Sequence, residues 1–274
     1  MPLSPQPHVS ETTESDHELL PQVAGALEQA GLILRERYSP EARPASLEEL
    51  MTALAANDSA VLDLLKPRLL AVRPGARWVE DEFEGGLLPA GEWWVVDPAE
   101  GNVNHVHGMT EWALTATLVR DNQPVLTAVH LPLTGQTYTA ASGHGAHLNG
   151  KPLRVSAKTA LGTGIVATSQ SRPGDDERTL RRIGDSVTSM LFGALLVRVS
   201  VPATLHLVNV AAGRIDAFWQ FNGARADLLP GTLLVTEAGG RITDAHGDPW
   251  TPASDSFLAA APGIHAEAVA RLSA

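Results

Sequence analysis

Two carboxylates three positions apart, Asp97 and Glu100, follow the apolar run Trp93 to Val96 in the segment WWVVDPAEGNVNHVHG. The run reads as a buried strand, and the Asp97-Pro98 step is expected to end it because the proline ring removes a ladder donor. Acids at the mouth of a strand, beside Gly101, can converge on one point. Oxygen ligands on a short rigid turn suit a hard cation such as Mg²⁺, which keeps several waters and shares its shell with substrate phosphate. An ordinary Asp-Pro turn with a solvated glutamate fits the same residues. Two further acid sources stand elsewhere: the cluster Glu80, Asp81, Glu82 and Glu84, and Asp227 at the start of an expected helix. A helix start favours anions through its free N–H groups and its dipole. A solvated acidic loop and a plain helix cap are the bland readings of these two. His105 and His107 alternate, which in an extended segment points them to opposite faces, and their spacing does not resemble a zinc site.

Elements must hold these groups. Residues 1 to 17 are polar and read as a disordered leader, without a basic-then-apolar signal pattern. Helical spacing runs from Leu19 towards Arg37 and stops at Ser39-Pro40 and Arg43-Pro44. Ser46 and Glu49 form a capping-box pattern opening a second helix, whose stripe Leu50, Leu54, Val61, Leu64 and Leu65 is expected to break at Asn57-Asp58. Strands follow over 112–119, 124–131 and 137–141, and Asn149-Gly150 is a strong two-residue hairpin signal. A second half begins near Lys158, giving an expected division into 18–157 and 158–274. It reads as strand 164–168, helix 177–191, strand 195–199, helix 203–212, strand 215–218 and helix 228–238, the last opening just after Asp227.

Composition narrows the function classes. The 274 residues can bury a large core. No apolar run reaches the roughly 18 residues of a membrane span. A net charge of −11 argues against broad nucleic-acid binding, yet not against a phosphorylated substrate, since a divalent cation reverses the local sign. The absence of cysteine excludes disulfides and thiolate chemistry and fits a cytoplasmic address.

The segment DPAEGNVNHVHG resembles the DPxDGTxNFxHG signature of the inositol monophosphatase family, and Asp227 to Gly240, DLLPGTLLVTEAGG, resembles its second signature, WDxAAGxLLVxEAGG. Both stand in the right order, and the resemblance covers roughly residues 20 to 270. It implies an α/β fold, an αβαβα layered sandwich with the site between the halves. It also implies Mg²⁺ held by Asp97, Glu100, Asp227, the carbonyl of Ala99 and an acid of the Glu80, Asp81, Glu82 cluster, whose register stays open. Phosphate monoester hydrolysis without a covalent intermediate follows, with phosphoryl binding by the N–H groups of Gly101 and Asn102 and water activation involving Asp58. His107 is then structural, and His105, in place of an aromatic residue, a candidate substrate contact.

The departures bear on substrate and mechanism. Glu100 replaces a second Asp, Asn102 replaces a Thr that orients the attacking water, and Ala55 replaces the Thr of a VTxxD motif that keeps Asp58. An amide can hydrogen-bond a water but cannot relay a proton as a hydroxyl does. Val201-Pro202-Ala203 stands for a Gly-Ser-Ala segment, Gln220 for an acid that contacts a polyol hydroxyl, and Ala226 for Trp. Asp227, Ala203 and Gln220 therefore line an altered substrate pocket, and myo-inositol phosphate is not the expected substrate. The sequence points to a Mg²⁺-dependent phosphatase of a small phosphorylated metabolite. A related enzyme repurposed for another reaction and a non-catalytic scaffold are the alternatives. By the same resemblance a homodimer is expected, with no nucleic-acid or membrane partner.

Overall fold

The computed structural model describes residues 15–80, 85–169, 174–221 and 225–273. Two long helices open it, α1 (Asp16–Arg37) and α2 (Leu47–Val72). The Glu18 carboxylate accepts the Ser15 N–H at 2.8 Å, so α1 begins at Asp16, inside the stretch expected to be a leader. Residues 1–14 lie outside the described residues. Leu19, Val23, Leu27, Ala30 and Leu34 form its buried stripe at helical spacing. At α2, Ser46 Oγ accepts the Glu49 N–H at 3.1 Å, while the Glu49 carboxylate takes the Ala45 N–H instead of that of Ser46. The break expected at Asn57-Asp58 does not occur. Asn57 lies on the buried stripe with Val61, Leu65 and Leu69, and its amide finds partners there.

The chain then builds a sheet from β1 (Arg77–Trp78), β2 (Glu92–Glu100), β3 (Ala113–Arg120), β4 (Gln123–Leu131), β5 (Gln136–Ala141), β6 (Ala146–Leu148) and β7 (Lys151–Pro152), in that spatial order. Only the β1–β2 pairing is parallel among these. Asp121-Asn122 (φ 49° and 66°) and Asn149-Gly150 (φ 48° and 76°) close hairpins with two positive φ angles each, as the strand twist favours. The short helix α3 (Asn102–Val106) follows β2 directly.

A second sheet contains β8 (Ile165–Thr168), β9 (Leu196–Val199), β10 (Ala217–Phe221), β11 (Arg241–Thr243) and β12 (Ser256–Ala260), ordered β11-β12-β10-β8-β9. Its helices are α4 (Glu177–Leu191), α5 (Ala203–Ala211), α6 (Arg225–Glu237) and α7 (Pro262–Leu272). Helices α1 and α2 cover one face of the first sheet through Trp94, Leu114 and Leu118. Helices α5 and α6 fill the space between the sheets, where Leu207, Leu234, Val129, Tyr138, Phe218 and Phe257 meet. On the outer face of the second sheet, Met190 of α4 and Ile264 of α7 pack against Trp219 and Leu258. The layers are therefore αβαβα, as expected.

Strand β2 departs from its expected end. It continues through Pro98 to Glu100, with a register shift against β3 between Asp97 and Glu100. A proline is tolerated in an inner strand at such a bulge, because no ladder donor is needed there. The expected strand at 215–218 is displaced to Ala217–Phe221, and α6 starts two residues before Asp227 instead of after it.

Candidate active site

The bulge in β2 creates the site. In a regular strand, residues an odd number of positions apart point to opposite faces, so Asp97 and Glu100 would diverge. The extra residue in β2 restores them to the same side. That side already carries Val95, which packs against Ala226 and Leu229 of α6. Burying such apolar side chains contributes roughly 1.5–3 kcal/mol each for the larger ones, enough to hold α6 against the strand. Asp227, one residue beyond Ala226, is thereby delivered to the pair. Carboxylate oxygens of Asp97, Glu100 and Asp227 lie within 4.8 Å of one another, with Asp97 half-buried and Glu100 buried.

Burial pushes the Asp97 carboxyl up to about 7, opposed by its hydrogen bond with Glu100 and assisted by the charge of Asp227. Burial also lifts Glu100 well above the usual carboxylate range, with Asp97 and Asp227 adding to the rise and the Thr204 N–H drawing it down. Thr204 stands in the first turn of α5, and its Oγ1 donates to the Asp227 carbonyl at 3.0 Å, linking the starts of α5 and α6. Glu100 Oε2 is buried and takes no hydrogen bond from any described residue. At the separations seen here two ionised carboxylates repel by about 3–4 kcal/mol at an effective dielectric near 20. A hard divalent cation would relieve that repulsion and give Glu100 Oε2 the partner it lacks. The donor set is all oxygen, as Mg²⁺ requires.

Gly101 turns the chain from β2 into α3 at φ 78°. A Cβ there would stand 2.7 Å from the Glu111 carbonyl oxygen and 2.9 Å from Pro202 Cγ, so glycine is required both by conformation and by space. Pro202 belongs to the Val201-Pro202-Ala203 segment, which Asn104 ties down by donating from Nδ2 to Glu111 O at 2.8 Å and Val201 O at 3.1 Å. Ala99 is buried within the bulge, Ala203 is the first residue of α5, and Gln220 is buried on β10 with Oε1 unpartnered among the described residues.

Asn102 and Asp58 do meet. Asn102 Nδ2 donates to Asp58 Oδ1 at 2.8 Å and to the Leu54 carbonyl at 3.1 Å. Burial pushes Asp58 up to about 6 against the lowering effect of that bond. His105 and His107 lie at the end of a helical turn, not on an extended segment, so they do not alternate between faces. His107 Nδ1 bonds the Val103 carbonyl at 2.7 Å, a local contact. His105 is buried with both ring nitrogens engaged inside the fold, at Leu34 O and Asn57 Nδ2, which leaves no ring nitrogen for a substrate. Glu80 is 77% exposed and paired with Lys66 at 2.8 Å, outside the carboxylate group. Asp81 and Glu82, and with them the rest of that expectation, lie outside the described residues. Sequence reasoning passed over Asn57 and Thr204. The signal for Asn57 was a polar residue in register with the apolar stripe; for Thr204 no local signal existed.

The sequence profile of the inositol monophosphatase family matches residues 16–274. The chain belongs to that family. The inositol-1-monophosphatase of Rhizobium meliloti (strain 1021) is 34% identical over 190 residues, 67% of this chain and 69% of that protein. Inositol monophosphatase 1 of Solanum lycopersicum is 28% identical over 255 residues, 90% of this chain and 92% of that protein. The solved structure of Mycobacterium tuberculosis SuhB superposes with a TM-score of 0.77 at 26% identity, covering 95% of this chain and 98% of that one. The relatives in this family with such names are phosphatases, and the αβαβα sandwich is the fold the chain shares with them.

Proposed function

We propose that this inositol monophosphatase family member is a Mg²⁺-dependent phosphatase that hydrolyses a small phosphorylated metabolite. The observation that carries the reading is the buried meeting of Asp97, Glu100 and Asp227 beside the Asn102–Asp58 pair. Asp97, Glu100 and Asp227 would hold the cation, with the Ala99 carbonyl and an acid of the 80–82 cluster as the further donors the family resemblance implies. When bound, Mg²⁺ offsets phosphate charge, lowers the pKa of a water and stabilises the departing alkoxide. The N–H groups of Gly101 and Asn102 face the phosphoryl group, as the first N–H groups of a helix have no acceptor of their own. Asp58 takes the proton of the attacking water; Asn102 holds its carboxylate and has no proton of its own to relay. A pKa near 6 suits a base working near neutral pH.

The pocket differs from one built for a polyol. Pro202 packs on Gly101 where a smaller residue would leave room, and Gln220, buried on β10, keeps its amide inside the fold. Pro202, packed there just before the start of α5 at Ala203, is what turns the pocket towards a substrate other than inositol phosphate. A cytoplasmic homodimer completes the proposal, its contact supported by the exposed apolar side chains Leu191, Phe192, Leu195, Leu196 and Val199 around the edge strand β9.

Phosphate release from a panel of sugar, polyol and nucleotide phosphates, with and without Mg²⁺, tests the reading. Metal-dependent turnover that Asp97→Asn abolishes is expected. Silence across the panel with Mg²⁺ still bound would point instead to a different reaction at a retained metal site, and silence without metal binding to a scaffold.

A further inference from the structure

The residues that stand at Asn102 and His105 are joined through Asn57 into one hydrogen-bonded chain. Arg37 Nε donates to Asn57 Oδ1 at 2.7 Å. Asn57 Nδ2 approaches Asn102 Oδ1 at 2.8 Å and His105 Nδ1 at 3.0 Å. Asn102 Nδ2 then donates to Asp58 Oδ1 and to the Leu54 carbonyl, and His105 Nε2 meets the Leu34 carbonyl at 2.8 Å.

Chemistry at the ends fixes every orientation between them. Arg37 can only donate, so Asn57 must turn Oδ1 towards it. The Leu34 carbonyl can only accept, so His105 carries its proton on Nε2 and leaves Nδ1 bare to accept from Asn57. Asp58 and the Leu54 carbonyl can only accept, so Asn102 must present its NH₂ to both. A reversed Asn102 would set its carbonyl oxygen against a carboxylate and another carbonyl. Donation thus runs in one direction from a guanidinium to a carboxylate, and bonds with charged ends are the strong ones. Both amide protons of Asn57 are committed, and it is only 3% exposed.

We infer that Asn57, locked by His105 and Arg37, is a positioning residue that fixes the amide of Asn102 and through it the carboxylate of Asp58. A rotating hydroxyl at position 102 would need no such lock; an amide has two inequivalent ends and does. The inference rests on the phosphatase reading, with Asp58 as the base for water attack. The hydrogen bonds of Asn57 and His105 go to Arg37, Asn102, Leu34 and one another and to none of Asp97, Glu100 and Asp227, so they act through Asn102.

The test compares Asn57→Thr with Asn57→Val, two side chains of the same shape that differ in one donor. The Thr variant is expected to keep kcat within about fivefold of wild type, and the Val variant to lose about 10- to 100-fold, with KM and Mg²⁺ affinity moving less than about threefold in both. In an Asn102→Thr background the Val substitution should cost less than about threefold, because nothing remains to orient. Equal losses in the Thr and Val variants, or the same loss in both backgrounds, would overturn the inference while leaving the phosphatase reading intact. A wild-type enzyme that releases phosphate from no substrate would overturn both. Nitrogen-15 spectra of His105 add a check that does not depend on turnover: protonated Nε2 and bare Nδ1 are expected, and the opposite tautomer contradicts the direction of the chain.

Discussion

Asp97, Glu100 and Asp227 place negative charge where burial already opposes it, and this fixes how the metal-free protein responds to pH. Asp97 has an ordinary value of 3.8 and a folded value of about 7, so between these the folded chain holds a proton that the unfolded chain has released. Folding stability therefore falls as pH rises through that window, and the loss is complete above it. Glu100 shifts in the same direction. With a chelator present, the melting temperature is expected to drop as pH rises from about 4 to about 7, and Mg²⁺ is expected to restore it at the higher pH. A melting temperature that does not move with pH would mean the cluster is not under this strain. Asp97→Asn removes one repelling charge. It should raise the metal-free melting temperature at high pH, by roughly 2–4 °C for each kcal/mol relieved in a chain of this size, while abolishing turnover and the Mg²⁺ response.

At the scale of elements, a bulge and a helix contact assemble the site. Glycines set the tolerances. A Cβ on Gly231 of α6 would lie 2.2 Å from Leu207 Cβ of α5, so Gly231→Ala must separate the two helices that present Thr204 and Asp227. A loss of about 1–3 kcal/mol in stability is expected, read by denaturant unfolding, together with weaker Mg²⁺ binding. The hairpins at Asp121-Asn122 and Asn149-Gly150 were legible because their chemistry is local: the turn residues themselves supply the positive φ. Helix α4 was legible end to end for the same reason, with Asp176 accepting the Thr179 N–H at 2.7 Å. The continuation of β2 through Pro98 was not legible, because a bulge is decided by how β3 pairs with it. Nor was the role of Asn57, whose partners Asn102 and His105 lie 45 and 48 positions away. Read alone, Asn57-Asp58 looks like a helix break; in the fold Asn57 is a buried stripe residue and Asp58 faces the site. The acids at Asp97, Glu100 and Asp227 were found from their neighbours in sequence, and their convergence required α6 to pack on Val95.

Across the whole molecule, α5 and α6 lie between two sheets, so the carboxylate cluster sits where the first sheet meets α6, with Glu100 buried and Asp97 and Asp227 partly exposed. A net charge of −11 surrounds it, which makes a bound cation the natural local counterweight. The outer edge of the second sheet tells a different story. Strand β9 has no neighbour on one side among the described residues, and Phe192 beside it is 79% exposed. A second copy covering this edge is expected to give a dimer by light scattering, and Phe192→Glu with Leu196→Lys to give a monomer that stays folded. A wild-type monomer at micromolar concentration would contradict the proposed assembly without touching the site.

The central claim is that the buried carboxylates form a Mg²⁺ site, and calorimetric titration with Mg²⁺ tests it most directly. Wild type is expected to bind with proton release near neutral pH, because burial holds Asp97 partly protonated there. Glu100→Gln is expected to lose at least about tenfold in affinity, since it takes away a negative ligand while keeping the shape. Wild type that shows no binding, or a Glu100→Gln variant that binds as tightly as wild type, would contradict the account.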